Sequence, residues 1–145
     1  MSVAGQLELS TRNQLSGRVA GVVNGAVMAE VVVEVAGMDF VAAITRHSSE
    51  RLALQSGDTV SVLIKATEVT VAKGSEPIER LSTRNQIPGT LERIETGAVM
   101  AELTIATAGG EIVAAVTQAS VARLALEAGD DVVALVKATE VMLAK

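Results

Sequence analysis

Between Ala29 and Val35 the chain reads Ala-Glu-Val-Val-Val-Glu-Val, which puts Glu30, Val32 and Glu34 on one face of a strand and Ala29, Val31, Val33 and Val35 on the other. A strand patterned in this way is half buried. Gly17–Val23, Phe40–Ile44, Thr59–Ile64 and Val69–Ala72 are also rich in β-branched or apolar residues and are bounded by Gly, Asp or Asn, so about five strands are predicted in this part of the chain. Ser48-Ser-Glu-Arg-Leu-Ala-Leu54 breaks the alternation. There Ser48 or Ser49 can cap, Leu and Ala favour a helix and Gly57 can end it, which predicts one short helix.

The same pattern then occurs a second time. Sliding the sequence over itself gives a gapless match at an offset of about 72, with about 35 of 65 positions identical between Leu9–Lys73 and Leu81–Lys145. Leu9-Ser-Thr-Arg-Asn-Gln14 returns as Leu81–Gln86, and Gly25-Ala-Val-Met-Ala-Glu30 as Gly97–Glu102. Val41-Ala-Ala, Arg51–Leu54 and Lys65-Ala-Thr-Glu-Val69 recur in the same order. Gly74-Ser-Glu-Pro-Ile-Glu-Arg80 between the copies reads as a short polar connector. The expected organisation is a first domain over 9–73, a linker over 74–80 and a second domain over 81–145. About five strands and one helix in each copy, with the helix between strands three and four, fit a mainly all-β fold of two tandem barrels of the oligonucleotide-and-oligosaccharide-binding (OB) type.

A copy of about 65 residues buries a modest share of its surface, and here it has no disulfides and only one aromatic side chain, Phe40. Its surplus of Val, Ala and Leu must be covered between copies, between chains or both, so a homo-oligomer with apolar interfaces is expected.

Half of the 145 residues are apolar and the mean hydropathy is positive, yet Glu30, Glu34 and Asp39 interrupt the longest apolar stretch well short of a membrane span. Met1 to Glu8 lacks a basic start followed by an apolar run, so no secretory signal is read and a cytoplasmic protein without membrane attachment is expected. The net charge of -5 and the near absence of aromatics argue against nucleic acid as a partner, because phosphates need a basic face and single-stranded bases a stacking platform. With no Cys and a single His47, whose counterpart is Ala119, neither a thiol nucleophile nor a His-rich metal cluster can be assembled. His47 reads as a surface or loop side chain. Glu30 and Glu102 fall on exposed strand faces without an accompanying nucleophile, and neither GxxxxGK[ST] nor GxGxxG occurs, so no catalytic constellation and no phosphate cradle for a nucleotide cofactor is found.

A set of hydrogen-bond donors does occur twice at predicted strand edges. Ser10, Arg12, Thr45, Ser48 and Lys65 have as twins Ser82, Arg84, Thr117, Ser120 and Lys137. Each can donate, Arg and Lys add positive charge, and none of these side chains is acidic, which suits a dianion. A donor-only site favours molybdate or sulfate, fully deprotonated near neutrality, over hydrogen phosphate, whose own O–H would lack an acceptor. From the residues alone the alternative remains ordinary surface, with Ser10 or Thr11 in a turn and Arg12 and Lys65 as solvated charges.

Ser10-Thr-Arg-Asn-Gln-Leu-Ser-Gly17 and Ser82-Thr-Arg-Asn-Gln-Ile-Pro-Gly89 resemble the Ser-Ala-Arg-Asn opening of Mop domains and the strand-one glycine that follows it. Gly25–Glu30 is similar to the family's Gly-Ala-Val-Asn-Ala-Glu, Thr45-Arg-His-Ser48 to its Thr-x-x-Ser, and Lys65-Ala66 to its Lys-Ala before the last strand. The resemblance covers about nine-tenths of the chain, in order and twice, and points to the tandem members of the molbindin family. It implies an OB-like barrel, binding of molybdate or tungstate without a cofactor or a reaction, and assembly of tandem chains as trimers containing six modules. It further implies oxyanion pockets between subunits, drawing here on Ser10, Thr11, Arg12, Thr45, Ser48, Lys65 and Ala66, and on Ser82, Thr83, Arg84, Thr117, Ser120, Lys137 and Ala138. Storage and homeostasis of the oxyanion is the implied role, and sensing through a transport or transcription partner is the alternative. The resemblance also implies further oxyanion sites on the threefold axis; the chain departs from the family at Thr11 and Thr83, where Ala is usual, and at Met28 and Met100, where Asn is usual, and the latter change bears on those axial sites.

Overall fold

The computed structural model describes residues 7–145. Met1–Gln6, part of the stretch read as lacking a secretory signal, lie outside the described residues. Ten strands form two curled five-stranded sheets, each with one short helix, in agreement with the expected mainly β fold. In the first copy the strands are β1 (Asn13–Asn24), β2 (Met28–Val35), β3 (Met38–Thr45), β4 (Thr59–Ile64) and β5 (Thr70–Lys73), with helix α1 (Arg46–Arg51) between β3 and β4. The second copy repeats them as β6 (Asn85–Thr96), β7 (Met100–Thr107), β8 (Gly110–Thr117), β9 (Asp131–Val136) and β10 (Met142–Ala144), with helix α2 (Gln118–Leu124). A single 3-10 turn precedes the last strand of each copy, at Ala66–Glu68 and Ala138–Glu140.

The first strand starts earlier than expected, at Asn13 rather than Gly17, because one long strand serves two neighbours. Asn13–Arg18 pairs with β4 and Arg18–Asn24 pairs with β2, all antiparallel. A register jump between Val19 and Gly21 marks a bulge at Ala20 that bends the strand from one neighbour to the other, and β6 has the same jump between Leu91 and Arg93. Gly17 lies at the tight inner side of that bend. A Cβ there would sit 2.6 Å from Val33 Cγ1 and 2.7 Å from the Glu34 carbonyl, and at Gly89 it would sit 2.5 Å from the Ala106 carbonyl, so only glycine lets the strand curl this closely.

The half-buried pattern predicted for β2 is realised. Ala29, Val31, Val33 and Val35 are buried while Glu30 and Glu34 are exposed. Val31, Val33 and Val35 pack with Phe40, Ala42, Val60, Val62 and Ile64 in the core, and the sole aromatic ring is core rather than a binding platform. The helix differs from expectation at its start. Thr45 is the N-cap, its hydroxyl accepting from Ser48 N–H at 3.1 Å, whereas Ser48 lies within the helix and Ser49 is buried. Thr45 wins because it alone is still extended, at φ -69 and ψ 147, with its hydroxyl over the first free N–H groups.

Sheet order shows how the copies are joined. It runs β10-β4-β1-β2-β3 in one sheet and β5-β9-β6-β7-β8 in the other, so each copy gives its last strand to the other's barrel. Met142–Ala144 pairs with Leu63–Ser61, and Thr70–Lys73 pairs with Leu135–Val132. The folded barrel and the repeated sequence segment are therefore different stretches of chain. Each exchange ends in a lysine strap. Lys145 Nζ donates to the Ala53 carbonyl at 3.1 Å and lies 3.1 Å from Asp58, while Lys73 Nζ donates to the carbonyls of Leu124 and Ala125 at 3.3 and 3.1 Å and lies 3.6 Å from Asp130. Both lysines thus reach the carbonyl end of the other copy's helix, where positive charge is favoured.

Candidate functional site

The residues Ser10, Thr11, Arg12, Thr45, Ser48, Lys65 and Ala66, with Ser82, Thr83, Arg84, Thr117, Ser120, Lys137 and Ala138, are all exposed or half-buried. Each opening segment is shaped locally by a glutamine. Gln14 Nε2 donates to the Thr11 carbonyl at 3.2 Å and Gln86 Nε2 to the Thr83 carbonyl at 3.1 Å, which folds Ser-Thr-Arg back against the start of the strand. The arginines then reach across to the other copy. Arg12 donates to both carboxylate oxygens of Glu102, at 3.0 and 3.3 Å, and Arg84 donates to Glu30 at 3.1 Å. The hydrogen bond to Glu102, followed by its charge, raises the pKa of the Arg12 guanidinium above its already high value, so it stays fully charged. These carboxylates are what the sequence reading missed. Glu30 stands exposed as read, whereas Glu102 is half-buried on a face that also carries the buried Thr104, and each is the partner of an arginine in the candidate set.

Thr45 and Ser48 form a hydroxyl pair at 2.9 Å, and Thr117 and Ser120 a matching one at 2.8 Å. In each pair the threonine oxygen is occupied by the helix cap, accepting from Ser48 N–H and Ser120 N–H at 3.1 Å. Between them the two hydroxyl hydrogens cannot both be used within the pair, which leaves one donor free to face outward.

Three depressions show which segments meet. Thr45, Ser48 and Arg51 line a cavity of about 610 Å³ whose far wall, Thr139 to Ala144 without Glu140, comes from the second copy. Its counterpart, about 290 Å³, places Thr117, Ser120 and Arg123 against Thr67 and Thr70 of the first copy. Lys137 and Thr83 share a depression of about 300 Å³ with Thr67, Glu68, Thr70 and Glu140. The Thr-x-x-Ser segment of one copy thus lies beside the last strand of the other, while Lys137 and Thr83 lie together in a separate depression. Lys137 is set with three threonines, Thr67, Thr70 and Thr83, and two carboxylates, and the arginines are held at Glu30 and Glu102. Among the described residues no group of three or more His, Cys, Asp or Glu is placed to hold a metal ion, and no helix is long and apolar enough to cross a membrane.

Comparison with known proteins fits this double, interlocked arrangement. The family profile of the TOBE domain matches residues 9–71 and again 81–143. The chain is 34% identical over 140 residues to the molybdenum transport protein ModE of Herbaspirillum seropedicae and 36% identical over 141 residues to the molybdenum-pterin-binding protein MopB of Rhodobacter capsulatus, covering 95% of this chain in each case. It spans about half, 52%, of the length of these curated relatives. A solved structure of the cytoplasmic molybdate-binding protein ModG, with molybdate bound, superposes with a TM-score of 0.89 at 40% identity, over 95% of this chain and 99% of that one. The proteins of this kind are binding proteins rather than enzymes, and the chain belongs to the TOBE-domain family as a tandem, di-Mop member of the molbindins.

Proposed function

We propose that the protein binds molybdate or tungstate reversibly and without a cofactor, at interfaces between subunits of a homotrimer, and stores the oxyanion in the cytoplasm. The observation that carries this reading is the match along the whole described chain to a structure with molybdate bound. The donor chemistry supports it. Hydroxyls of Ser10 and Thr11, the one free hydroxyl hydrogen of the Thr45–Ser48 pair, Arg12, Lys65 and the Ala66 backbone N–H, and their twins, offer hydrogen bonds that a fully deprotonated tetrahedral dianion can accept. Within one chain these groups lie open, and Glu68 and Glu140 flank the lysine-bearing depression. A dianion needs more positive charge and less water than that surface supplies, which favours completion of each pocket by a second subunit. The exposed Val27, Met28, Val99, Met100, Leu9 and Leu81 are apolar surface that such an assembly would cover. Anion held only by the oligomer also stabilises the oligomer by mass action.

Titration calorimetry of anion-free protein with molybdate and then sulfate, with the mass measured in solution, tests the reading. Expected are tight molybdate binding at more than two anions per chain, weaker sulfate binding and the mass of a trimer. Arg12→Ala combined with Arg84→Ala should weaken uptake by tenfold or more, on the order of 1.4 kcal/mol, and leave the circular dichroism unchanged. Unchanged uptake removes the arginines from the site, and absence of any molybdate binding removes the storage reading. A second reading is favoured by the greater length of the ModE and MopB relatives. In it, the tandem module reports oxyanion level through a separate transport or transcription partner, which pull-down with and without molybdate would detect.

A further inference from the structure

Each copy sends one buried amide into the edge of the other. Asn85, 1% exposed, donates from Nδ2 to the Val41 carbonyl at 2.8 Å, and its Oδ1 accepts from Val41 N–H at 2.7 Å. Asn13, 2% exposed, does the same with Val113, at 2.8 and 2.7 Å. Val41 lies on β3 and Val113 on β8, the outermost strands of their sheets. An outer strand turns every second residue's N–H and C=O away from its neighbour, and in a buried setting those groups need partners. The asparagine amide carries a donor and an acceptor side by side, as a peptide does, and so completes one rung of a ladder on each edge.

We propose that Asn13 and Asn85 are positioning residues of the oxyanion site, fixing where each Ser-Thr-Arg opening lies along the edge strand of the other copy; this rests on the oxyanion reading above. Asn85 is one residue from Arg84 and two from Thr83. With Asn85 anchored at Val41, Arg84 reaches Glu30, which stands opposite Ala43 on the neighbouring strand pair, and Thr83 enters the depression that holds Lys137. Asn13 anchors the first opening in the same way, with Arg12 on Glu102 opposite Ala115. Opposed strands repeat every two residues, so an opening displaced along β3 by one position would turn its arginine from the face that carries Glu30. The ion pairs cannot hold this register themselves, since both partners are on exposed long side chains. A pair of short bonds to buried backbone can.

The test converts the clamp into a titratable one. In Asn13→Asp with Asn85→Asp, a protonated carboxyl still makes both bonds, its O–H donating to the valine carbonyl and its C=O accepting the N–H. Once ionised it accepts from the N–H but faces the carbonyl oxygen with a negative charge, and burial resists that ionisation. Molybdate titration of the full chain from about pH 5.5 to about pH 8, each point beside the unsubstituted protein, should show affinity within a few fold at the acid end and a loss of about tenfold or more at the alkaline end. Circular dichroism and solution mass should stay unchanged at the acid end. Asn13→Leu with Asn85→Leu, which cannot make either bond, should bind weakly at every pH. Affinity of the Leu variant equal to that of the unsubstituted protein, with circular dichroism and solution mass unchanged, overturns the proposal. Failure of the unsubstituted protein to bind molybdate would remove the oxyanion reading instead, and the clamp is then judged on the native protein alone. Its four side-chain amide hydrogens should exchange with solvent far more slowly than those of Asn24, and exchange at the same rate overturns the clamp as well.

Discussion

The two barrels share the parts that hold the copies together and differ in the surfaces they leave open. Asn13 and Asn85 make the same pair of bonds to within 0.1 Å, the two helix caps have the same Thr-to-Ser geometry, and both terminal lysines seat on the other copy's helix. The cavities beside those caps are unlike, about 610 Å³ in the first barrel and about 290 Å³ in the second. Leu9 and Met28 wall the first cavity, whereas their twins Leu81 and Met100 line other depressions, and Met142 and Leu143 stand where the second barrel has Thr70 and Val71. Residues facing the other copy have one partner surface to satisfy and stay alike. Residues facing outward can diverge, so the two oxyanion sites proposed above need not be equal in strength.

The largest effect should come from the strand bend that both barrels share. Gly17→Ala places a methyl within 2.6 to 2.8 Å of Val33, the Glu34 carbonyl and Val35, and Gly89→Ala within 2.5 Å of the Ala106 carbonyl and 2.6 Å of Ile105. Backbone cannot retreat cheaply on a paired strand, so each substitution should cost about 1–3 kcal/mol of stability in urea unfolding. Because each barrel contains a strand of the other, the chain should unfold in one transition with either variant. Two separated transitions would mean that the exchange of last strands does not couple the barrels.

A smaller effect tests the equality of the caps. Thr45→Ala and Thr117→Ala each remove the acceptor of the first free helix N–H and should cost about 1 kcal/mol, alike in the two copies. Ser48→Ala keeps the N–H that donates to Thr45 and should cost clearly less. If Ser48→Ala proves the more costly, the hydroxyl pair and not the cap holds this turn.

What was legible in the sequence follows from what each feature depends on. The inward face of β2 depends on alternation alone, and Ala29, Val31, Val33 and Val35 are buried as read. The repeat fixed that there would be two similar barrels. It could not show that Met142–Ala144 belongs to the first, because two equivalent strands satisfy the same pairing whether exchanged or not. The donor residues were legible as types, while their carboxylate partners were not, since Arg12 and Glu102 are separated by 90 positions and meet only through the docking of the copies. Asn13 and Asn85 were visible as part of a repeated block. Nothing local indicated that they would be buried, because asparagine at a strand start is usually a turn residue.

The smallest expected effect concerns the lysine straps, where the barrels are nearly but not fully alike. Asp58 accepts from Gln55 N–H at 2.9 Å and from Lys145 at 3.1 Å, and these two bonds, the backbone one first, hold its carboxyl below the usual aspartate range. The corresponding lysine in the second barrel stands farther from its aspartate, at 3.6 Å. For a carboxylate depressed in the folded state, the unfolded chain binds its proton first as pH falls. The stability contributed is therefore complete above the unfolded value of about 3.9 and is lost as pH drops through the lower folded value. Asp58→Asn keeps an acceptor for Gln55 but no charge for Lys145, so it should be less stable than the unsubstituted protein at neutral pH, with the gap closing below about pH 4. Urea midpoints measured along that acid limb check this. A gap that stays constant down the limb would mean that the strap holds the exchanged strand by its bond to the Ala53 carbonyl alone, which Lys145→Met would remove at every pH.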